Sequence, residues 1–115
     1  MNAFDSDIVL DRKQLQEATM DDEELIREIL AALIEDTSRQ AHLLAEAIRE
    51  EDATKCGRLA HYSKGACASL GALAAASRLQ NIETGAAIGD FAECGASLEA
   101  LHHEIARLRT EVEVL

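Results

Sequence analysis

At 115 residues the chain has room for one domain with a modest core, and its formal net charge of −11 opposes nucleic-acid phosphates and anionic lipid surfaces, which both need a cationic footprint. There is no proline, glycines are few, and Ala, Leu and Glu dominate, a composition that favours helix over strand. No window approaches the roughly 20 apolar residues of a membrane span, and Met1–Asp7 lacks the basic and apolar regions of a signal peptide, so the cytoplasm is the expected compartment.

In chain order, a short helix is predicted at about 11–18, packed across one end of the fold. Asp21 and Asp22 then open a long amphipathic helix, in which Ile26, Ile29, Leu30, Leu33, Ala41, Leu44 and Ile48 recur at helical spacing. Asp52 is a good N-cap for the next helix, which Gly71 interrupts. A third long helix, 72 to about 87, contributes Leu73, Ala76, Leu79 and Ile82 to the core. Gly89-Asp90 supplies a turn and another cap. From there Phe91, Cys94, Leu98, Leu101, Ile105, Leu108, Val112 and Leu115 form one apolar seam. Short connections leave sequential helices adjacent, so the expected fold is all-α: an antiparallel up-and-down four-helix bundle over about 20–115 with a short additional N-terminal helix, the whole of 1–115 forming a single domain.

Cys56, Cys67 and Cys94 lie far apart, without C-x-x-C spacing, and read as small buried apolar residues. Cys67 has no further interpretation in the sequence.

The stretch AHYSKGACASLGA, residues 60–72, places a histidine and a lysine among residues with almost no side chains. At about 100° per residue, Arg58, Lys64, Gly65 and Ala68 fall within about 60° of His61, while Leu59, Ser63, Ala66 and Leu70 lie opposite. His61 is therefore expected to face solvent, with Arg58 and Ala68 as candidate partner-surface residues. Gly65 stands one turn beyond the histidine, and a helix-interior glycine costs about 1 kcal/mol relative to alanine. Two explanations fit it: access to the imidazole, or close helix packing.

A neutral imidazole is a competent nucleophile near neutral pH and can accept a phosphoryl group. Lys64 is expected to be exposed and to extend its ammonium toward the phosphoryl oxygens, and Gly65 to leave them room. The chain has no glycine-rich nucleotide loop and no kinase signature, so donor and acceptor must come from elsewhere.

On these residues the chain resembles the histidine-containing phosphotransfer (HPt) family of phosphorelays. The pattern is H-x-x-K-G followed by G-A, present as His61, Lys64, Gly65, Gly71 and Ala72 and preceded by Ala60, with Ile82-Glu83 where the family often has Leu-Glu. The resemblance implies that His61 takes a phosphoryl group from the aspartate of one receiver domain and passes it to another, as a carrier without kinase activity of its own. It implies response-regulator receivers or a hybrid sensor histidine kinase as partners, no cofactor of its own, Mg²⁺ on the receivers, and a monomer. A residue of the neighbouring helix often hydrogen-bonds the imidazole in such proteins, and Glu83 is the candidate here, with a solvated charge as its alternative. Ser63 departs from the family, which usually has a bulky apolar residue there.

Three other readings compete. One is a receiver-binding module whose histidine stays unphosphorylated, and another is the substrate domain of a chemotaxis-type kinase. The third is a metal site in the helical core, suggested by Glu99-x-x-His102 but lacking the second such pair a di-iron centre needs. On the carrier reading, His102, His103 and His42 are surface residues.

Overall fold

A computed structural model of the chain describes residues 6–115; of Met1–Asp7, only Ser6 and Asp7 are among them. The described residues form five α-helices and no strand: α1 Arg12–Ala18, α2 Glu23–Arg49, α3 Ala53–Ser69, α4 Leu73–Ala87 and α5 Phe91–Glu113. The element boundaries follow local chemistry. Asp22, Asp52 and Asp90 each accept the backbone N–H three residues on, at 3.1, 3.0 and 3.0 Å. Each such cap satisfies an orphan donor and contributes about 1 kcal/mol. Gly89, at φ 72°, makes the reversal before the last of them.

Helix α2 packs against α3 and α5, and α4 packs against the same two, so the four long helices close a ring around one core. Leu30, Leu44, Leu79, Ile82, Leu101 and Leu108, with Leu15 of α1, are its largest fully buried apolar side chains. The seam of α5 is buried from Cys94 to Leu108, with Phe91, Val112 and Leu115 partly covered at its ends. Leu73 and Ile29, expected in the core, are only half-buried. On α4, Ala76, Leu79 and Ile82 are buried as expected, and Ala75 joins them.

All three cysteines are buried and unpaired by disulfides. Burial pushes the Cys56 and Cys67 thiols up to about 11, and it raises Cys94 as well. They stay protonated at neutral pH and act as small hydrophobes. Cys67 also has a polar task, since its sulfur meets the buried Thr37 hydroxyl at 3.7 Å and links α3 to α2. Ser63 points into the core as its place on the wheel implies, 1% exposed, and its hydroxyl has no hydrogen-bond partner. An unsatisfied buried hydroxyl is destabilising, so Ser63→Ala is expected to stabilise the protein by about 1 kcal/mol and to raise Tm by about 4 °C. A thermal or urea melt checks this, and a lower midpoint would contradict it.

The N-terminal segment ties together the end of the molecule where α3 passes into α4. The N-cap of α4 is Ala72, which has no side chain able to cap it. The carbonyl of Ile8 does this work, accepting the Ala74 N–H at 2.7 Å. Asp11 N–H donates to the Gly71 carbonyl at 2.8 Å, and the Gln14 amide donates to the Ala68 carbonyl at 2.6 Å and to the Ser69 carbonyl at 3.2 Å, adding a side-chain donor to the carbonyls at the end of α3. Arg12 pairs with Glu111 of α5 at 2.7 Å, and Leu15 is buried. Helix α1 is thus tied to α3 by Gln14 and to α5 by Arg12, with Leu15 in the core cluster.

Candidate functional site

His61 sits in the middle of α3, with its side chain 70% exposed. The predicted outward placement is met, with the core-facing Cys56, Ala60, Ser63 and Cys67 buried on the other side of the helix. Across from the histidine, α4 presents Gln80, Glu83 and Thr84, three positions that share a face at i, i+3 and i+4.

Glu83 divides its carboxylate between two partners. Oε2 meets His61 Nδ1 at 3.0 Å, and Oε1 accepts from Lys64 Nζ at 2.6 Å. Lys64 Nζ also donates to Gln80 Oε1 at 2.9 Å, and Gln80 Nε2 donates to Thr84 Oγ1 at 3.2 Å. A carboxylate can only accept, so Nδ1 carries the proton and donates it, leaving the lone pair of Nε2 directed outward. Partial burial pushes the Glu83 carboxyl up, but the hydrogen bond and charge of Lys64, joined by those of His61, outweigh it and hold the group below its ordinary value. Glu83 is thus ionised at neutral pH, and its reading as a merely solvated charge does not survive.

Lys64 differs from expectation. Its side chain is only 14% exposed, because the ammonium folds across to α4, where Glu83 and Gln80 compensate its charge, instead of extending into solvent. The network makes a pH-dependent contribution to stability. A carboxyl whose folded pKa lies below its unfolded value, about 4.5, stabilises the fold above that value and ceases to do so as pH falls through the folded pKa. Glu83→Gln is therefore expected to lose about 0.5–1 kcal/mol at pH 7 and progressively less below pH 4.5. Urea unfolding at pH 7 and pH 3 measures it, and a pH-independent difference would show that the charge is not what matters.

Gly65 is exposed, and a Cβ built on it would meet no atom within 4 Å; the same holds for Gly57, one turn before His61. Neither glycine serves helix packing, a reading the geometry removes. Close packing occurs at Gly85, where a Cβ would lie 3.0 Å from the Cys94 sulfur. Arg58 is exposed and lines a shallow open groove with His61, Tyr62, Glu83 and Ala87. Ala68 is half-buried against the core, and Gln14 of α1 donates to its carbonyl.

Sequence reasoning missed Gln80 and Thr84, although their spacing from Glu83 would have suggested them once Glu83 was placed. It also passed over Tyr62, whose position beside His61 was the only hint. Glu99 and His102 are both exposed on α5, as are His42 and His103, so the Glu-x-x-His spacing does not face a core. Among the described residues no group of three or more His, Cys, Asp or Glu is arranged to hold a metal, and no helix is long and apolar enough to cross a membrane.

The family model for the Hpt domain matches residues 28–111. Among solved structures, histidine-containing phosphotransfer protein B (HptB) from Pseudomonas aeruginosa PAO1 aligns with a TM-score of 0.84 at 24% identity, over 94% of each chain. The histidine-containing phosphotransfer protein MtHPt2 from Medicago truncatula aligns with a TM-score of 0.80 at 20% identity, over 93% of this chain and 76% of that one. At these identities the likeness is one of fold. A search of curated proteins finds no match.

Proposed function

This chain belongs to the Hpt domain family, whose members carry phosphoryl groups in phosphorelays and interact there with receiver domains, and from that premise we propose that His61 is its phosphorylated residue. The observation that carries the assignment is the ring itself: solvent-facing, with Nδ1 held by Glu83 and Nε2 without a protein partner among the described residues. Nε2 attacks the phosphorus of a receiver's aspartyl phosphate. The N–P bond forms as the P–O bond to the aspartate breaks, and the receiver regains its carboxylate. The ring now carries a positive charge with its proton on Nδ1, where the ionised Glu83 accepts a charge-assisted hydrogen bond. A second receiver's aspartate reverses the step.

Lys64 meets the phosphoryl oxygens by exchanging one of its partners on α4 for them, a role supported by its place one hydrogen bond from the ring. Gly65 keeps the approach open. With little covalent work to do, positioning and charge compensation are the protein's task. The chain needs no cofactor of its own and no kinase activity. Mg²⁺ belongs to the receivers, which are those of response regulators or of a hybrid sensor kinase. The finer architecture is an antiparallel up-and-down four-helix bundle with α1 as an addition, supported by the ring of helix contacts, in a single domain over 1–115. The protein acts as a cytoplasmic monomer.

The test is incubation with a phosphorylated receiver. Label should move to this chain, survive base and be lost in acid, as a phosphoramidate does; label that is stable in acid would point to a different chemistry.

A further inference from the structure

The chain carries 22 acidic and 11 basic residues, yet the distribution is far from even. Helix α3 contains Lys55, Arg58 and Lys64 and no acidic residue, alone among the five helices. It forms a positive strip on an otherwise negative molecule, and His61 lies within it.

The cations of that strip are not equivalent. Lys64 is turned to α4 and compensated there. Arg58, three residues before His61 as Lys64 is three after, is exposed and makes no hydrogen bond or ion pair among the described residues. Glu83, which lines the same groove, is already engaged by His61 and Lys64. One turn on from Arg58 stands Tyr62, the chain's only tyrosine, 58% exposed. Arg58 and Tyr62 together line both shallow grooves on this side: the one holding His61 and Glu83, and a second with Gln40, Lys55 and Leu59 that reaches toward α2. Gly57 leaves the surface between them and the imidazole open.

We propose that Arg58 and Tyr62 form the receiver-anchoring edge of the site, distinct in task from Lys64: Arg58 engages the acidic rim of the incoming receiver, and Tyr62 is buried in the contact. The inference rests on the phosphotransfer reading of His61. Charge complementarity commits it to a receiver, because an acceptor aspartate beside a Mg²⁺ held by carboxylates makes that partner's docking face acidic. An unpaired arginine and an exposed tyrosine are also the side-chain types that dominate binding energy at protein interfaces.

The experiment is phosphoryl transfer from a phosphorylated receiver to the full chain as a function of receiver concentration and salt, comparing wild type, Arg58→Gln, Tyr62→Ala and, as a charge control, Lys13→Gln on the exposed outer side of α1. Arg58→Gln should raise the half-saturating receiver concentration roughly tenfold and flatten its salt dependence, with a smaller effect on the rate at saturation. Tyr62→Ala should raise it by a similar factor without changing the salt slope, and Lys13→Gln should alter neither. Half-saturation within twofold of wild type in both Arg58→Gln and Tyr62→Ala, or an equal shift in Lys13→Gln, overturns the anchoring role. Direct labelling of wild type by phosphoramidate separates the premise from the inference: absence of acid-labile label on His61 sinks the phosphotransfer reading, whereas a labelled wild type with indifferent variants sinks only the anchor.

Discussion

His61→Gln is expected to leave the helical content and melting temperature within the small range of an exposed substitution while reducing acid-labile phosphorylation to background, a loss of at least about 10³-fold. Glutamine can still offer an N–H toward Glu83, so the α3–α4 contact has a substitute donor. What it lacks is a nucleophilic nitrogen, since the amide lone pair is delocalised into its carbonyl. The chain's remaining histidines make the test sharp. His42, His102 and His103 are exposed too, but none has a carboxylate within ion-pair distance among the described residues to fix its tautomer. Exposure alone does not single out His61; the hold on Nδ1 does. Mass-spectrometric localisation of the label under basic conditions checks this, and phosphate on another histidine at wild-type yield would remove Glu83 from its role.

Whatever depends on periodicity was legible in the sequence. The seam of α5 and the outward turn of His61 follow from spacings of three and four, which the geometry of a helix converts directly into faces, and the caps Asp52 and Asp90 follow from residue type. Contacts across helices were less so. The spacing that put Lys64 on the face of His61 is correct, yet its long stem can reach either solvent or α4. Only the position of Glu83 and Gln80 in three dimensions decides between them. Ala68 shows the same limit, because the wheel of α3 knows nothing of Gln14, 54 positions away in the chain. Gly65 and Gly71 illustrate it from both directions. The sequence marks each as a glycine within one short motif, whereas the structure gives them opposite reasons: empty space around the first, and no space at all around the second.

Gly71→Ala is accordingly expected to be among the most damaging single-atom changes available in this chain. The residue has φ 85°, a left-handed conformation that disfavours any side chain by about 1–2 kcal/mol. In addition a Cβ there would stand 2.7 Å from the Asp11 carbonyl oxygen and 3.3 Å from its Cβ. The backbone of Asp11 must withdraw, and its withdrawal takes with it the Asp11–Gly71 hydrogen bond and strains the Ile8–Ala74 and Gln14–Ala68 bonds beside it. With about 1 kcal/mol for each bond lost, the total approaches about 3 kcal/mol, or a fall in Tm of about 12 °C. Gly89→Ala isolates the conformational part, since Gly89 also has a positive φ, 72°, but a Cβ there meets nothing within 4 Å; about 1 kcal/mol is expected. Paired urea melts of the two variants decide the matter, and equal losses would mean that crowding against Asp11 contributes nothing. Hydrogen exchange should show the amides of Asp11 and Ala74 losing protection in Gly71→Ala alone. The folded fraction should still accept phosphate at His61, which lies ten residues, about 15 Å, up a continuous helix from the disturbed turn.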